Sequence, residues 1–234
     1  MKELKMIFNL TIVASLILAH QAYAGIVTGK INFNGTPPVP EKIDMAADAA
    51  CAGSGQDVMT EDAIVNSDNT LRNVFVYVKQ GLEGKAFPTP TTPVTIDQKS
   101  CHYIPHVFGI QVNQPLEIVN GDPTLHNIHA LPTQSQEFNL GMPIQGMKLT
   151  KKFDKPEIMV KFKCDVHPWM HAYVGVMEHP YFSTSGETGT YEIKDLPAGT
   201  YIIEAWHEKF GIQTQNVTVD ASGTQTVDFT LAEQ

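Results

Sequence analysis

Residues 164–171 read Cys-Asp-Val-His-Pro-Trp-Met-His and set Cys164, His167 and Met170 three residues apart. On a tight loop between two strands, that spacing lets a thiolate, an imidazole and a thioether converge on one point, where a borderline-soft ion is the natural occupant. Tetrahedral zinc usually recruits more Cys or His at close spacing, and hard cations want oxygen. Two imidazoles and a thiolate with a weak axial thioether form the ligand pattern of blue-copper electron-transfer sites, so one further histidine is needed. The stretch Asn120-Gly-Asp-Pro-Thr-Leu-His-Asn-Ile-His129 offers His126 and His129. In an extended strand, residues three apart point to opposite faces, so only one of the two can face the metal.

The elements that must hold these residues are strands. From Gly25 onward, short runs alternate apolar and polar residues between Gly, Pro, Asn and Asp, the pattern of an all-β protein. Strands are expected at Ile26 to Phe33, Asn73 to Lys79, Leu116 to Asn120, Asn127 to Leu131, Ile158 to Lys163, Ala172 to Met177 and Thr200 to His207, among others. One stretch reads as helical, Asp44 to Ala50, with Asp44 as its N-cap. The proline-rich segment 87–93 cannot continue a central strand, because its prolines lack amide donors, and a second break falls at Glu178-His179-Pro180. Between the breaks lie Cys101, Cys164 and most of the histidines.

Two resemblances follow from these motifs. The loop Cys-x-x-His-Pro-aromatic-Met, together with Leu125-His126-Asn127-Ile128-His129, resembles the amicyanin-like members of the cupredoxin family over residues 94 to 178. The resemblance implies a Greek-key β-sandwich with one type 1 copper ion held by His126, Cys164, His167 and Met170. It also implies that Asn127 hydrogen-bonds the Cys-bearing loop. Asp165 stands where the family often has a hydroxyl, which leaves the side-chain half of that bridge open. The stretch GTYEIKDLPAGTYIIEAWHEKFG, with its turn Leu196-Pro197-Ala198-Gly199, is similar to carboxypeptidase regulatory-like and transthyretin-like sandwich modules, and GIVTGKINFNGTPP resembles their first strand and turn. The two together imply a cupredoxin domain at 93–179 inserted in or beside a second, smaller sandwich built from 25–92 and 180–234. The chain ends would then lie close together.

Lys2 and Lys5 precede an apolar run from Ile7 to Ala19, followed by Ala22-Tyr23-Ala24, so residues 1–24 read as a secretory signal peptide with the mature chain starting at Gly25. That run is too short to span a bilayer comfortably, and no stable membrane insertion is expected after cleavage. A periplasmic or secreted location is oxidising, and the three cysteines divide into a Cys51 to Cys101 disulfide and a functional Cys164. Separate buried thiols at Cys51 and Cys101 are the alternative.

The formal net charge of −9 and a single arginine, Arg72, disfavour nucleic acid and anionic membranes and favour a basic protein partner. No Ser-His-Asp set, phosphate-binding glycine loop or zinc signature accompanies the copper motif, so no enzymatic activity is expected. The leading reading is a carrier of single electrons between redox partners, such as a cytochrome or another copper protein. Copper storage or delivery, and a surface module in which the sandwich does the binding, are the alternatives. For docking, His167 is expected to present its ring edge to solvent, with Pro168 and Trp169 as an apolar rim.

Overall fold

The computed structural model describes residues 24–53 and 57–233, so the expected signal segment lies outside the described residues except for Ala24. In chain order the strands are β1 (Ala24–Asn34), β2 (Phe75–Gln80), β3 (Val94–Lys99), β4 (His102–Ile104), β5 (Val107–Gln111), β6 (Leu116–Asn120), β7 (His126–Leu131), β8 (Phe138–Met142), β9 (Lys148–Lys151), β10 (Glu157–Lys163), β11 (His171–Met177), β12 (Phe182–Thr184), β13 (Thr190–Pro197), β14 (Gly199–His207), β15 (Gly211–Val219), β16 (Thr224–Thr226) and β17 (Phe229–Ala232). The protein is all-β, as the alternation predicts.

The strands form four sheets. Sheet β5-β11-β10-β7-β8 and sheet β4-β3-β6-β9 enclose a core that includes Ile96, Ile118, Ile128, Phe162 and Val174. Sheet β13-β1-β16, which β17 joins through β1, and sheet β12-β2-β14-β15 enclose a second core around Val27, Ile31, Val76, Ile193, Ile203 and Phe229. Strands β3 to β11 therefore make one sandwich, while those on either side of them in the chain make the other.

The sandwiches meet through strands buried on both faces. In β2 the run Phe75-Val76-Tyr77-Val78 is buried throughout. With side chains alternating across a strand, Val76 and Val78 enter the second core, while Phe75 and Tyr77 join Val107 and Met177 in a cluster between the sandwiches. Strand β11 mirrors this, sending Ala172, Val174 and Val176 into the first core and Met177 to the junction.

Three expectations are revised. Among the described residues only Ala49–Ala52 is helical (α1), and the N-cap is Asp48, whose Oδ1 accepts the N–H groups of Ala50 and Cys51 at 2.8 and 3.0 Å. Asp44 caps a turn only, accepting from the Ala46 amide at 3.0 Å. A stretch this short has too few internal bonds to sustain a helix without tertiary support. Second, Met45, Cys51 and Val58, expected with the flanking sandwich, belong to the core of the middle one. Third, β1 and β17 are neighbours but run parallel, with Asn34 beside Ala232. The described chain ends thus lie at opposite ends of β1, roughly 30 Å apart at 3.3 Å per residue.

Candidate metal centre

Strand β10 stops at Lys163 and β11 starts at His171, leaving Cys164 to Met170 as the loop between two paired strands. Backbone bonds draw it tight: the Cys164 amide donates to the Met170 carbonyl at 3.1 Å, and the Met170 amide to the His167 carbonyl at 2.9 Å. The His167 amide donates to Cys164 Sγ at 3.3 Å. Cys164, His167 and Met170 are all buried. His126 opens β7, the neighbour of β10, and is buried as well.

The donor atoms of His126, Cys164 and His167 lie within 4.8 Å of one another. His126 Nδ1 faces His167 Nδ1 at 2.9 Å, and Cys164 Sγ is 3.7 Å from His167 Nδ1. The remaining ring nitrogens are both taken by carboxylates: His126 Nε2 is 3.0 Å from Asp122 Oδ2, and His167 Nε2 is 3.1 Å from Asp48 Oδ2. A carboxylate only accepts, so each Nε2 carries the proton and each Nδ1 is left as a bare lone pair. Two such lone pairs facing each other in a buried site, beside a sulfur, call for a cation between them. The soft sulfur and paired imidazoles fit copper.

The electrostatics agree. The Cys51 amide, which donates to Asp48, is the chief cause of that carboxyl falling to about 2, with the His167 bond adding to it against the cost of burial. Burial holds the His126 imidazole below its ordinary value, while the Asp122 bond pulls the other way. Neutral imidazoles hydrogen-bonded to carboxylates behind them are the arrangement that orients and strengthens histidine ligands.

Asn127 ties the two ligand segments. Its Oδ1 accepts the Asp165 amide at 2.7 Å and lies 3.3 Å from Cys164 Sγ. Its Nδ2 donates to Asp165 Oδ2 at 3.2 Å, so the Asp165 carboxylate supplies the side-chain half of the bridge. Asp165 also accepts from Asn139 Nδ2 at 2.7 Å and from Lys163 Nζ at 2.8 Å, the Lys163 bond being the main reason its pKa is depressed. His129 points away from the centre, to Asp165 at 3.0 Å and Glu137 at 2.7 Å.

Asp48 and Asp122, which the sequence reading did not single out, are placed by the disulfide. Cys51 and Cys101 are bonded, with Cα atoms 5.7 Å apart. Ser100 and Cys101 form the two-residue turn between β3 and β4, both at positive φ (53° and 58°). Non-glycine residues are uncommon in that pair of conformations. Asp122 supports the turn by accepting both amides at 2.8 Å. The disulfide joins this turn to α1, and the two carboxylates reach the centre from either side of it.

That strap overturns the expected exposure of His167. The ring is 3% exposed, lying under Asp48 and within 3.6 Å of Cys51 Sγ. Pro168 is exposed, whereas Trp169 is half-buried, its indole N–H donating to the Cys101 carbonyl at 3.1 Å and its ring 5.1 Å from that of His167.

A family model described as the carboxypeptidase regulatory-like domain matches residues 168–232. A search of the curated proteins finds no match. Among solved structures, the chain is similar to a Cu-containing nitrite reductase (NirK) from Thermus scotoductus SA-01, with 24% identity and a TM-score of 0.35, over 43% of this chain and 25% of that one. The chain thus spans about a quarter of the reductase's length. It is also similar to a novel purple cupredoxin from Nitrosopumilus maritimus, with 22% identity, a TM-score of 0.31, and 35% and 97% of the two chains covered. A Cu(I) form of an amicyanin variant matches at 19% identity and a TM-score of 0.32, over 36% of this chain and 81% of that one.

Proposed function

We propose that the chain is an exported type 1 copper protein that carries single electrons between redox partners. In this reading a cupredoxin domain at 93–179, with the segment around Met45, Cys51 and Val58 packed on it, sits within a carboxypeptidase regulatory-like sandwich made of the rest of 25–92 and 180–234. The observation that carries it is the buried pair of Nδ1 lone pairs 2.9 Å apart beside Cys164 Sγ, each imidazole backed by a carboxylate. Copper bound there supplies a one-electron couple. His126, Cys164, His167 and Met170 would hold it. Asp48 and Asp122 fix the ring tautomers, while the His167 amide and Asn127 restrain the sulfur. Ligands locked by packing and second contacts move little on redox change, which suits electron transfer.

The disulfide supports an oxidising compartment, in keeping with a periplasmic or secreted protein. The acidic surface suits a basic redox partner, a cytochrome or another copper protein. With His167 covered, the route out runs through Trp169, which is half-buried, has its ring 5.1 Å from that imidazole and follows the exposed Pro168.

The test is copper loading followed by visible and electron paramagnetic spectra. The wild-type protein is expected to take up one Cu(II) with an intense visible band that a reductant bleaches reversibly. Cys164→Ser should lose the band while the imidazoles still retain some copper, and Met170→Leu should stay blue with a raised potential. A serine variant that remains blue overturns the assignment of Cys164. Rapid loss of copper to a mild chelator overturns the carrier role in favour of delivery.

A further inference from the structure

A second cluster lies outside the copper loop, and four stretches of chain build it. His106 sits in the turn between β4 and β5, and His171 opens β11; both belong to the middle sandwich. Glu208 lies in the turn between β14 and β15 of the other sandwich, while Glu61 and Asp62 come from the segment that follows the strap. His106 Nε2 contacts Glu208 Oε1, and His171 Nε2 lies 3.1 Å from Glu208 Oε2 and 3.1 Å from Asp62 Oδ1. Glu61 Oε2 is 3.9 Å from the other nitrogen of His106. The ligand atoms of His106, His171 and Glu208 all lie within 4.8 Å of one another. His106 is buried, and the Glu208 side chain is only 9% exposed.

The wiring of His171 makes this more than a surface ion pair. Its Nδ1 is 3.2 Å from the Trp169 carbonyl, which can only accept, so Nδ1 carries a proton. Its Nε2 is aimed at two carboxylate oxygens, an arrangement that either a second ring proton or a bound cation satisfies. A surface pocket lined by Asp62, His106, Trp169 and His171 opens onto the cluster.

We propose that His106, His171 and Glu208 form a second metal site, distinct from the copper centre, for one divalent ion of the zinc class, with Asp62 within reach as a fourth ligand. Two imidazoles exclude hard cations such as calcium, and the absence of a thiolate or thioether removes the preference for Cu(I). Two histidines and a carboxylate, with a further position open to a carboxylate or water, match the donor sets that zinc accepts. The ligands come from both sandwiches, so the ion would pin the β14–β15 turn against the strand that begins one residue after Met170.

The experiment uses the full chain with its Cys164 centre first filled with one equivalent of Cu(II), so that added zinc meets only the remaining sites. Zinc is titrated calorimetrically, the visible band is followed in the same sample, and metal content is measured after gel filtration. One further zinc per chain is expected with the band retained, and Glu208→Gln should weaken zinc binding by more than about tenfold, since even outer partners of metal ligands cost that much. Diffraction at the zinc edge on the wild-type protein needs no variant and should place the ion between His106, His171 and Glu208. No retained zinc, an ion located elsewhere, or a Glu208→Gln variant that binds as well as wild type overturns the site and leaves the cluster as a polar contact between the sandwiches. Because copper is read by its own band, failure of the copper centre is seen separately from failure of this one.

Discussion

The histidine rings of the candidate metal centre are defined as much by what stands behind them as by what they face. Asp48 is the sharpest case, because it both caps α1 and accepts from His167 Nε2. Asn is as good an N-cap as Asp, so Asp48→Asn should leave α1 in place, while the loss of a carboxylate whose folded pKa is depressed lowers the stability of the metal-free protein at neutral pH. The lost charge also falls on the metal side. Cu(II) affinity should drop about 10- to 100-fold while Cu(I) affinity falls less. The reduction potential should therefore rise, by roughly 60 mV for each tenfold difference between the two ions. Voltammetry beside a Cu(II) competition assay measures both, and an unchanged potential would show that Asp48 does not tune the centre. At this scale Cys164, His167 and Met170 were legible because their spacing is local. Asp48 was not, since it lies 119 residues from His167.

Among the elements, the strap and the return connection carry the consequences. The Cys51–Cys101 bond closes a loop of 50 residues, which in the chain-entropy picture is worth roughly 4 kcal/mol. Removing it with Cys51→Ala and Cys101→Ala should cost about 2–4 kcal/mol in urea unfolding. Freeing the strap also uncovers His167, so small-molecule oxidants should react faster with the reduced centre in stopped-flow mixing. The return connection after β11 holds His179, whose Nε2–H donates to the Val78 carbonyl at 2.9 Å and whose Nδ1 accepts from the Tyr181 amide at 3.2 Å. Both nitrogens are engaged as the neutral ring, and burial pushes its pKa below the ordinary 6.5. A lowered imidazole pKa means that the unfolded chain takes up the proton first. This contribution is therefore present above about pH 6.5 and lost as the pH falls towards the folded value. Urea midpoints should drop between neutral and mildly acidic pH, and less steeply in His179→Gln. A variant with the same slope as wild type would remove His179 as the cause.

At the scale of the whole molecule, the junction between the sandwiches depends on bare backbone. Gly175 of β11 lies under the Phe75 ring from β2, and a Cβ there would come within 2.5 Å of ring carbons. Gly109 of β5 meets Phe75 and Phe182 in the same way, at 2.7 and 2.5 Å. Gly175→Val should therefore lift Phe75 out of its seat and cost about 1–3 kcal/mol by overpacking, read as a lower thermal midpoint. The copper band should survive, because Val174 and Val176, on either side, face the other core. A variant as stable as wild type would mean that the junction is loose enough to absorb the side chain.

The sequence by itself determined the all-β class, most strand positions and the Cys-His-Met loop, because alternation with period two and spacing within one loop are local properties. It missed β4, where the turn is Ser100-Cys101 instead of a glycine-bearing pair, and it missed β8, β9 and β12, which are three to five residues long and so offer too few alternations to read. It read β2 and β11 as strands but could not say that their two faces serve different cores, since a continuous apolar run looks the same whichever layers cover it. Only the tertiary structure decided that Asp48 and Cys51 fold over His167, that carboxylates back both His126 and His167, and that Glu208 meets His106 across 102 residues. Those contacts depend on which surfaces the sheets bring together, and pairing between distant segments leaves no periodic trace in either segment alone.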